Sequence, residues 1–357
     1  MTSSSCLVTG GAGFIGCALS SKLVKEFDRV IAIDSLHPQV HAVQERPADL
    51  DAGVEFIRGD VRDAVMWDEV IGTQGVRPQV IIHLAAETGT GQSLTEATRH
   101  ATANVVGTTE MLDALVRHDA LPEKIVLTSS RAVYGEGAWR DEVGNISYPG
   151  QRSNAMLERG EWDFPGKQAL PFEATTTWPH PTSVYGSTKL AQEHIIASWC
   201  LAMDVTPVFY RLQNVYGPGQ SLTNPYTGIV SFFAQEAKAG KALPVYEDGE
   251  IIRDFVFIDD VADAIIAGVL HGKGNVDPYD IGSGEATSIM RLAQIISAEY
   301  GSPEPFINGK FRNGDVRNAS CTVDRARAEI GWEPKVMVEE GVRRLIAWID
   351  AGASSDH

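Results

Sequence analysis

The stretch Thr9-Gly10-Gly11-Ala12-Gly13-Phe14-Ile15-Gly16 decides the fold. It sets glycines at 10, 13 and 16, directly after an apolar run (6–9) and at the head of an amphipathic one (15–26). In a strand–loop–helix unit each glycine has its own task. Gly10 permits a tight turn, Gly13 lets backbone approach a pyrophosphate without a Cβ, and Gly16 lets the helix pack close to the sheet. The helix start at Phe14 and Ile15 then offers free N–H groups and a positive dipole end to an anion. A glycine pattern alone is weak evidence, and a purely structural turn is the alternative. Two acids downstream weigh against that alternative. Asp34 ends the run Val30-Ile31-Ala32-Ile33, roughly 20 residues on, where a carboxylate can bond both ribose hydroxyls. It would repel a 2′-phosphate, so the pattern points to NAD over NADP. Gly59-Asp60-Val61 follows the third apolar run, where an adenine-contacting acid is expected, although Asp60 could equally cap a helix.

Working outward, apolar runs at 6–9, 29–33, 55–58, 80–84 and 124–128 are each followed by a loop and an amphipathic stretch, such as 15–26 or 105–118. This βαβ alternation predicts parallel strands with helices on both faces. The runs are nearly continuous, as strands covered on both faces should be. A sixth strand is expected at 206–211, after a long helix at 184–203. From Gly135 to about Pro181 the rhythm breaks into a stretch rich in Gly, Pro, Trp and Glu, with no clear period. Such a segment is expected to be a functional excursion such as a lid. The last third mixes strands at 243–246, 255–257 and 279–281 with helices at 260–271, 288–300 and 324–330, the pattern of a smaller cap. The expected fold is α/β: a Rossmann-type doubly wound parallel sheet with a smaller C-terminal α/β substrate-binding domain. Residues 1–182 would form the NAD-binding domain with a lid-like insertion at about 136–181. Residues 183–240 would carry the catalytic helix and last strands, and 241–352 mainly the cap, with some segments returning to the first domain.

At 357 residues the chain can bury a large core, and its length suggests two domains. Apolar residues at 43% and charged residues at 22% are ordinary for a globular protein. A net charge of −17 argues against nucleic acid, which wants clustered Lys and Arg, but leaves room for one nucleotide. No apolar run reaches the roughly 18 to 20 residues that span a bilayer, so no membrane partner is expected. The N-terminal MTSSSCLVTGGAGFIG has no basic stretch followed by an apolar block, which makes the cytoplasm the expected compartment. Cys6, Cys17, Cys200 and Cys321 are scattered, with no CxxC pair and no His at ligand spacing. Buried free thiols are expected, with neither disulfide framework nor metal site.

Tyr185-Gly186-Ser187-Thr188-Lys189 puts Tyr and Lys four apart, on one face of a helix. Free tyrosine ionises near pH 10, too high for a base at neutral pH. An ammonium one turn away, with the positive nicotinamide ring of NAD, favours the phenolate. The result is a base able to take a proton from a sugar hydroxyl as hydride leaves the same carbon. In an arbitrary chain such a pair is surface decoration; here it follows a dinucleotide pattern by a plausible distance. Ser130, at the end of the fifth run in Thr128-Ser129-Ser130, is the natural third member, since strand carboxyl ends line the cofactor crevice. Ser129 would border the cofactor or only satisfy backbone groups.

The residues Thr9–Gly16, His83–Ala86, 129–135, Tyr185–Lys189, 211–219 and 253–260 together resemble the extended short-chain dehydrogenase/reductases of nucleotide-sugar metabolism. The resemblance covers almost the whole chain. It implies a C-terminal domain closing over a nucleotide-diphosphate sugar, and a homodimer built through a four-helix bundle from 105–118 and 184–203. Carried over by position, Ala85 and Asn104 would line the cofactor site, with Tyr185 and Lys189 also touching NAD. Asn214 would bond the substrate diphosphate. Arg253 and Arg317 would neutralise it through bidentate guanidinium geometry, the alternative for each being an interdomain salt bridge. In the family's 4,6-dehydratases an Asp-Glu pair follows the catalytic hydroxyl residue; here Arg131 and Ala132 stand there, and neither can act as that acid or base. A redox-neutral 4-epimerase is therefore expected, with Arg131 among the substrate-binding residues. Ala86–Ser93, 130–137 and 213–227 are similar to a bacterial subgroup acting on dTDP-L-rhamnose. A UDP- or GDP-hexose epimerase, and an oxidoreductase or decarboxylase on the same scaffold, are the alternatives. Some relatives carry cysteine pairs in the insertion, and this chain has none between Cys17 and Cys200. His100 stands where many have Tyr. A nucleotide sensor without catalysis would be expected to lack the Tyr-Lys pair.

Overall fold

A computed structural model describes residues 4–222, 228–274 and 276–352; the part of the 213–227 stretch at 223–227 lies outside them. Seven strands form one sheet: β1 (Ser5–Thr9), β2 (Arg29–Asp34), β3 (Val54–Arg58), β4 (Val80–His83), β5 (Lys124–Ser130), β6 (Thr206–Leu212) and β7 (Tyr279–Ile281). Their order is β7-β6-β5-β4-β1-β2-β3, with every neighbour pair parallel. The order reverses between β1 and β4, which opens a crevice at the carboxyl ends of the strands. Leu7, Ile31, Ile81 and Ile125 are fully buried on one face, and Cys6, Ile82 and Val126 on the other. Apolar side chains on both faces are what make these strands legible as unbroken runs. Strand β7, from the last third, is a segment that returns to the sheet, where it pairs Tyr279 with Tyr210 at the edge.

The helices that position the site are α1 (Phe14–Glu26), α2 (Gly107–Arg117), α3 (Val184–Met203), α4 (Ile229–Lys238), α5 (Ile258–His271), α6 (Ile289–Tyr300) and α7 (Val338–Asp350). Two glycines shape the first turn. Gly10 has φ +67°, and a Cβ there would lie 2.7 Å from the amide nitrogen of Ala85. A Cβ on Gly16 would lie 2.4 Å from the carbonyl of Gly11, so the close contact is with the loop's own backbone rather than the sheet.

The cap has its own core. Val230, Phe233, Ala234 and Ala237 on α4, and Val338, Val342, Leu345 and Ile349 on α7, face Leu292 and Ile296 of α6. Both spacings are helical, so α4 and α7, absent from the sequence expectations, are ordinary amphipathic helices. Phe14 and Ile15 pack on the same cluster and tie the nucleotide loop to the cap.

Residues 136–181 are not the structureless stretch expected. Trp139–Asp141 pairs antiparallel with Ile146–Ser147 and with Lys167–Ala169, beside a short helix at Asn154–Glu158. Phe172 stacks on Tyr134 at 4.5 Å and exchanges backbone hydrogen bonds with Ser320 and Thr322. Strands of two or three residues held by distant partners leave no periodic signal. All four cysteines are free and buried.

Candidate active site

A cavity of about 350 Å³ lies over the first turn, lined among others by Gly10, Gly13, Asp34, Asp60, Val61 and Ala85, with Phe14 and Ile15 at the helix start. Gly13 is the N-cap of α1 and supplies no side-chain cap, so the first N–H groups face the cavity for an anion. At its far end the Asp34 carboxylate accepts from the amides of Ala12 (3.2 Å) and Leu36 (2.9 Å), which fixes its direction. Asp60 caps no helix: that task falls to Asp63, which accepts from Val65. Instead Asp60 pairs with Arg62, whose guanidinium holds the carboxyl below its usual range. An uncapped helix start, a cavity and an acid aligned at β2 fit a dinucleotide.

Two residues assigned to the cofactor face elsewhere. Asn104 is fully buried; its amide grips both backbone groups of Glu87 (2.7 and 3.0 Å) and the Thr188 hydroxyl (2.9 Å). It shapes the loop after β4 rather than lining the cavity. The Ser129 hydroxyl turns inward to Glu193. Position in the chain placed both near the cofactor, but side-chain direction is set by the strand and helix faces they occupy.

Tyr185 and Lys189 are placed by the start of α3, and neither lines the cavity over the first turn. Ser183 caps it by accepting from Gly186 (3.0 Å). A Cβ on Gly186 would stand 2.4 Å from the Ala132 carbonyl, so the helix rests directly on the turn after β5. That contact brings the Tyr185 phenol to Ser130. Burial raises the phenol's pKa, while the Ser130 hydroxyl and the Arg131 guanidinium pull it down. Lys189 is buried and pushed down to about 7, with Glu193 opposing the shift. Beside it His83 is driven to about 3 by burial and by Lys189, and stays neutral between Thr9 (2.6 Å) and Thr108 (2.9 Å). Behind the pair, Arg211 grips Glu193 (2.7 and 3.1 Å) and lies 4.7 Å from the Tyr134 ring, whose hydroxyl donates to Asp280 at 2.8 Å.

Arg131, Asn214 and Arg253 form the next layer. The Nε of Arg131 donates to Asn214 Oδ1 at 2.8 Å. Burial and the nearby Arg253 push Arg131 down to about 9, a mutual repulsion that a bound anion would relieve. Arg253 bonds Asp315 at 2.5 Å, an acid the sequence reading missed because it stands alone in an aperiodic loop. Arg317 takes the form of its alternative, a salt bridge: its guanidinium bonds Asp163, Glu247 and Asp248 at 2.7 to 3.2 Å. With Arg152, which bonds Glu247 and Glu136, it ties the insertion to the cap, leaving no free face for a diphosphate. Glu136 at the centre is raised by burial to about 7.

Among the described residues no helix is long and apolar enough to cross a membrane, and no three His, Cys, Asp or Glu could hold a metal ion. Residues 6–282 match the model of the NAD dependent epimerase/dehydratase family. The chain is 56% identical to a dTDP-L-rhamnose 4-epimerase of Burkholderia thailandensis, over 96% of this chain and 94% of that protein. It is 30% identical to a UDP-glucose 4-epimerase of Mycolicibacterium smegmatis, over 95% and 96%. Among solved structures, a UDP-glucose 4-epimerase of Thermotoga maritima with UDP-glucose superposes with TM-score 0.80 at 27% identity, covering 98% of this chain and all of that one. A UDP-glucose 4-epimerase of Thermus thermophilus in complex with NAD gives 0.78 at 26% identity, over 98% and 100%.

Proposed function

The chain belongs to the NAD-dependent epimerase/dehydratase family, and we propose that it inverts C4 of dTDP-L-rhamnose to give dTDP-6-deoxy-L-talose. The observation that carries the reaction type is the turn after β5. Ser130 stands against Tyr185, yet Arg131 and Ala132 follow it, and neither can remove or deliver the proton that elimination of water needs. The choice of sugar rests on the 56% identity to the dTDP-L-rhamnose 4-epimerase.

Gly10, Gly13, Asp34 and Asp60 would hold NAD, which supplies a hydride acceptor and donor at the sugar's C4. Tyr185, as phenolate, takes the C4 hydroxyl proton, and Ser130 holds the reacting oxygen toward it. Lys189, one turn along α3, favours the phenolate while it is protonated. Arg131, Asn214 and Arg253 grip the diphosphate while the 4-keto sugar turns its opposite face to the cofactor. Tyr185 then returns the proton to the same oxygen. The protein works as a cytoplasmic homodimer, with α2 and α3 of each chain in a four-helix bundle.

The experiment is product analysis of purified protein with dTDP-L-rhamnose, UDP-hexoses and GDP-sugars. Protein carrying NAD should yield an isomer of equal mass from dTDP-L-rhamnose without net NADH. Loss of water from the sugar, consumption of NADH, or turnover of only another sugar nucleotide would overturn the assignment.

A further inference from the structure

Arg152, Arg211, Arg253 and Arg317 are buried, and each is paired with a carboxylate. Arg131 differs: among the described residues it makes no ion pair, and its guanidinium donates from Nε to Asn214 Oδ1 at 2.8 Å. It follows Ser130 directly, and α3 presses on the next residue through Gly186. The guanidinium is therefore held between Tyr185, Asn214 and Arg253.

We propose that Arg131 is a positioning residue for the epimerisation, acting on both ends of the substrate site at once. At one end it fixes the amide of Asn214. With Oδ1 accepting from Nε, the Nδ2 donors are turned to the site, where a diphosphate oxygen can accept. At the other end it holds against the Tyr185 phenol a positive charge that no salt bridge among the described residues engages. An opposite charge within about 4 to 6 Å favours ionisation by roughly 1 to 3 pH units. The cation that acts on Tyr185 is Arg131, from the turn after β5, while Lys189 stands one turn further along Tyr185's own helix. Lys189 in turn faces Glu193 and the neutral His83, and Arg131 faces Arg253 and Asp315. Since burial presses the Lys189 ammonium down to about 7, the guanidinium is the charge that persists above neutral pH.

The inference rests on the epimerase assignment, but its test does not need turnover. The holoenzyme, Arg131→Gln and Arg131→Lys are titrated by phenolate absorbance, each against the same protein carrying Tyr185→Phe. The acid limb of kcat/KM and the affinity for dTDP are measured alongside. Arg131→Gln should move the phenolate titration and the acid limb up by about 1 to 2 pH units and weaken dTDP binding. Arg131→Lys keeps the charge and should leave both titrations near those of the holoenzyme, while still losing dTDP affinity. An unmoved titration in Arg131→Gln, or equal shifts in both variants, would overturn the charge role. Unchanged dTDP affinity in both would overturn the role toward Asn214. A wild-type protein inactive on every sugar nucleotide would sink the epimerase assignment, yet the titration would still report on Arg131.

Discussion

Two adjacent hydroxyls at the end of β5 face opposite ways, and their variants should fail differently. Ser130 meets the Tyr185 phenol, so Ser130→Ala should lower kcat on the order of 100-fold while the thermal midpoint barely moves. Ser129 is buried against Glu193, so Ser129→Ala removes a partner from a buried carboxylate. It should cost about 1 to 3 kcal/mol in urea unfolding and spare kcat per folded molecule. Equal effects of the two on kcat would contradict this division. Tyr185→Phe should abolish turnover and leave dTDP binding intact, as calorimetry would show. At this scale Tyr185, Lys189, Asp34 and Asp60 stand out in the sequence because their spacing from strands and glycines implies a function. The inward turn of Asn104 and Ser129 and the carboxylate partners of Arg317 were not legible, because spacing along the chain does not say which way a side chain turns.

Long elements advertise themselves, and short ones held by distant partners do not. Strands β1 to β6 and helices α1 and α3 were legible from apolar runs and helical period. The insertion was not, because its hold on the cap is ionic and long-range. Glu136 bonds the Arg317 amide at 2.9 Å and Arg152 at 3.3 Å, and Arg152 reaches Glu247 at 2.8 Å. Burial lifts Glu136 from the usual carboxyl range to about 7. The folded protein then keeps a proton that the unfolded chain has already released. That stabilisation is complete below about pH 4.5 and is lost as pH rises through 7. Glu136→Gln removes this dependence. From about pH 5 to 8, wild type should lose on the order of 2 kcal/mol relative to the variant in urea unfolding. A pH-independent difference between the two would contradict it.

For the molecule as a whole, the parallel sheet, the cap core and the crevice between them were foreseeable from alternation and length. Which segment of 241–352 returns to the sheet was not, since a three-residue strand such as β7 can join either layer. Exposed Leu94 lies by α2 and α3 in a shallow depression that Val105, Val184 and Ala191 also line. A dimer that buries this face predicts a light-scattering mass twice that of one chain, and dissociation on Leu94→Glu. A monomeric wild type would contradict it.

Epimerisation oxidises and re-reduces C4 within one active site and inverts its configuration. The decisive substrate is dTDP-L-rhamnose carrying deuterium at C4, incubated with the purified holoenzyme in ordinary water without added NADH. Epimerisation predicts dTDP-6-deoxy-L-talose that retains the deuterium at C4. Product with hydrogen at C4, or a product lighter by one water, would contradict it.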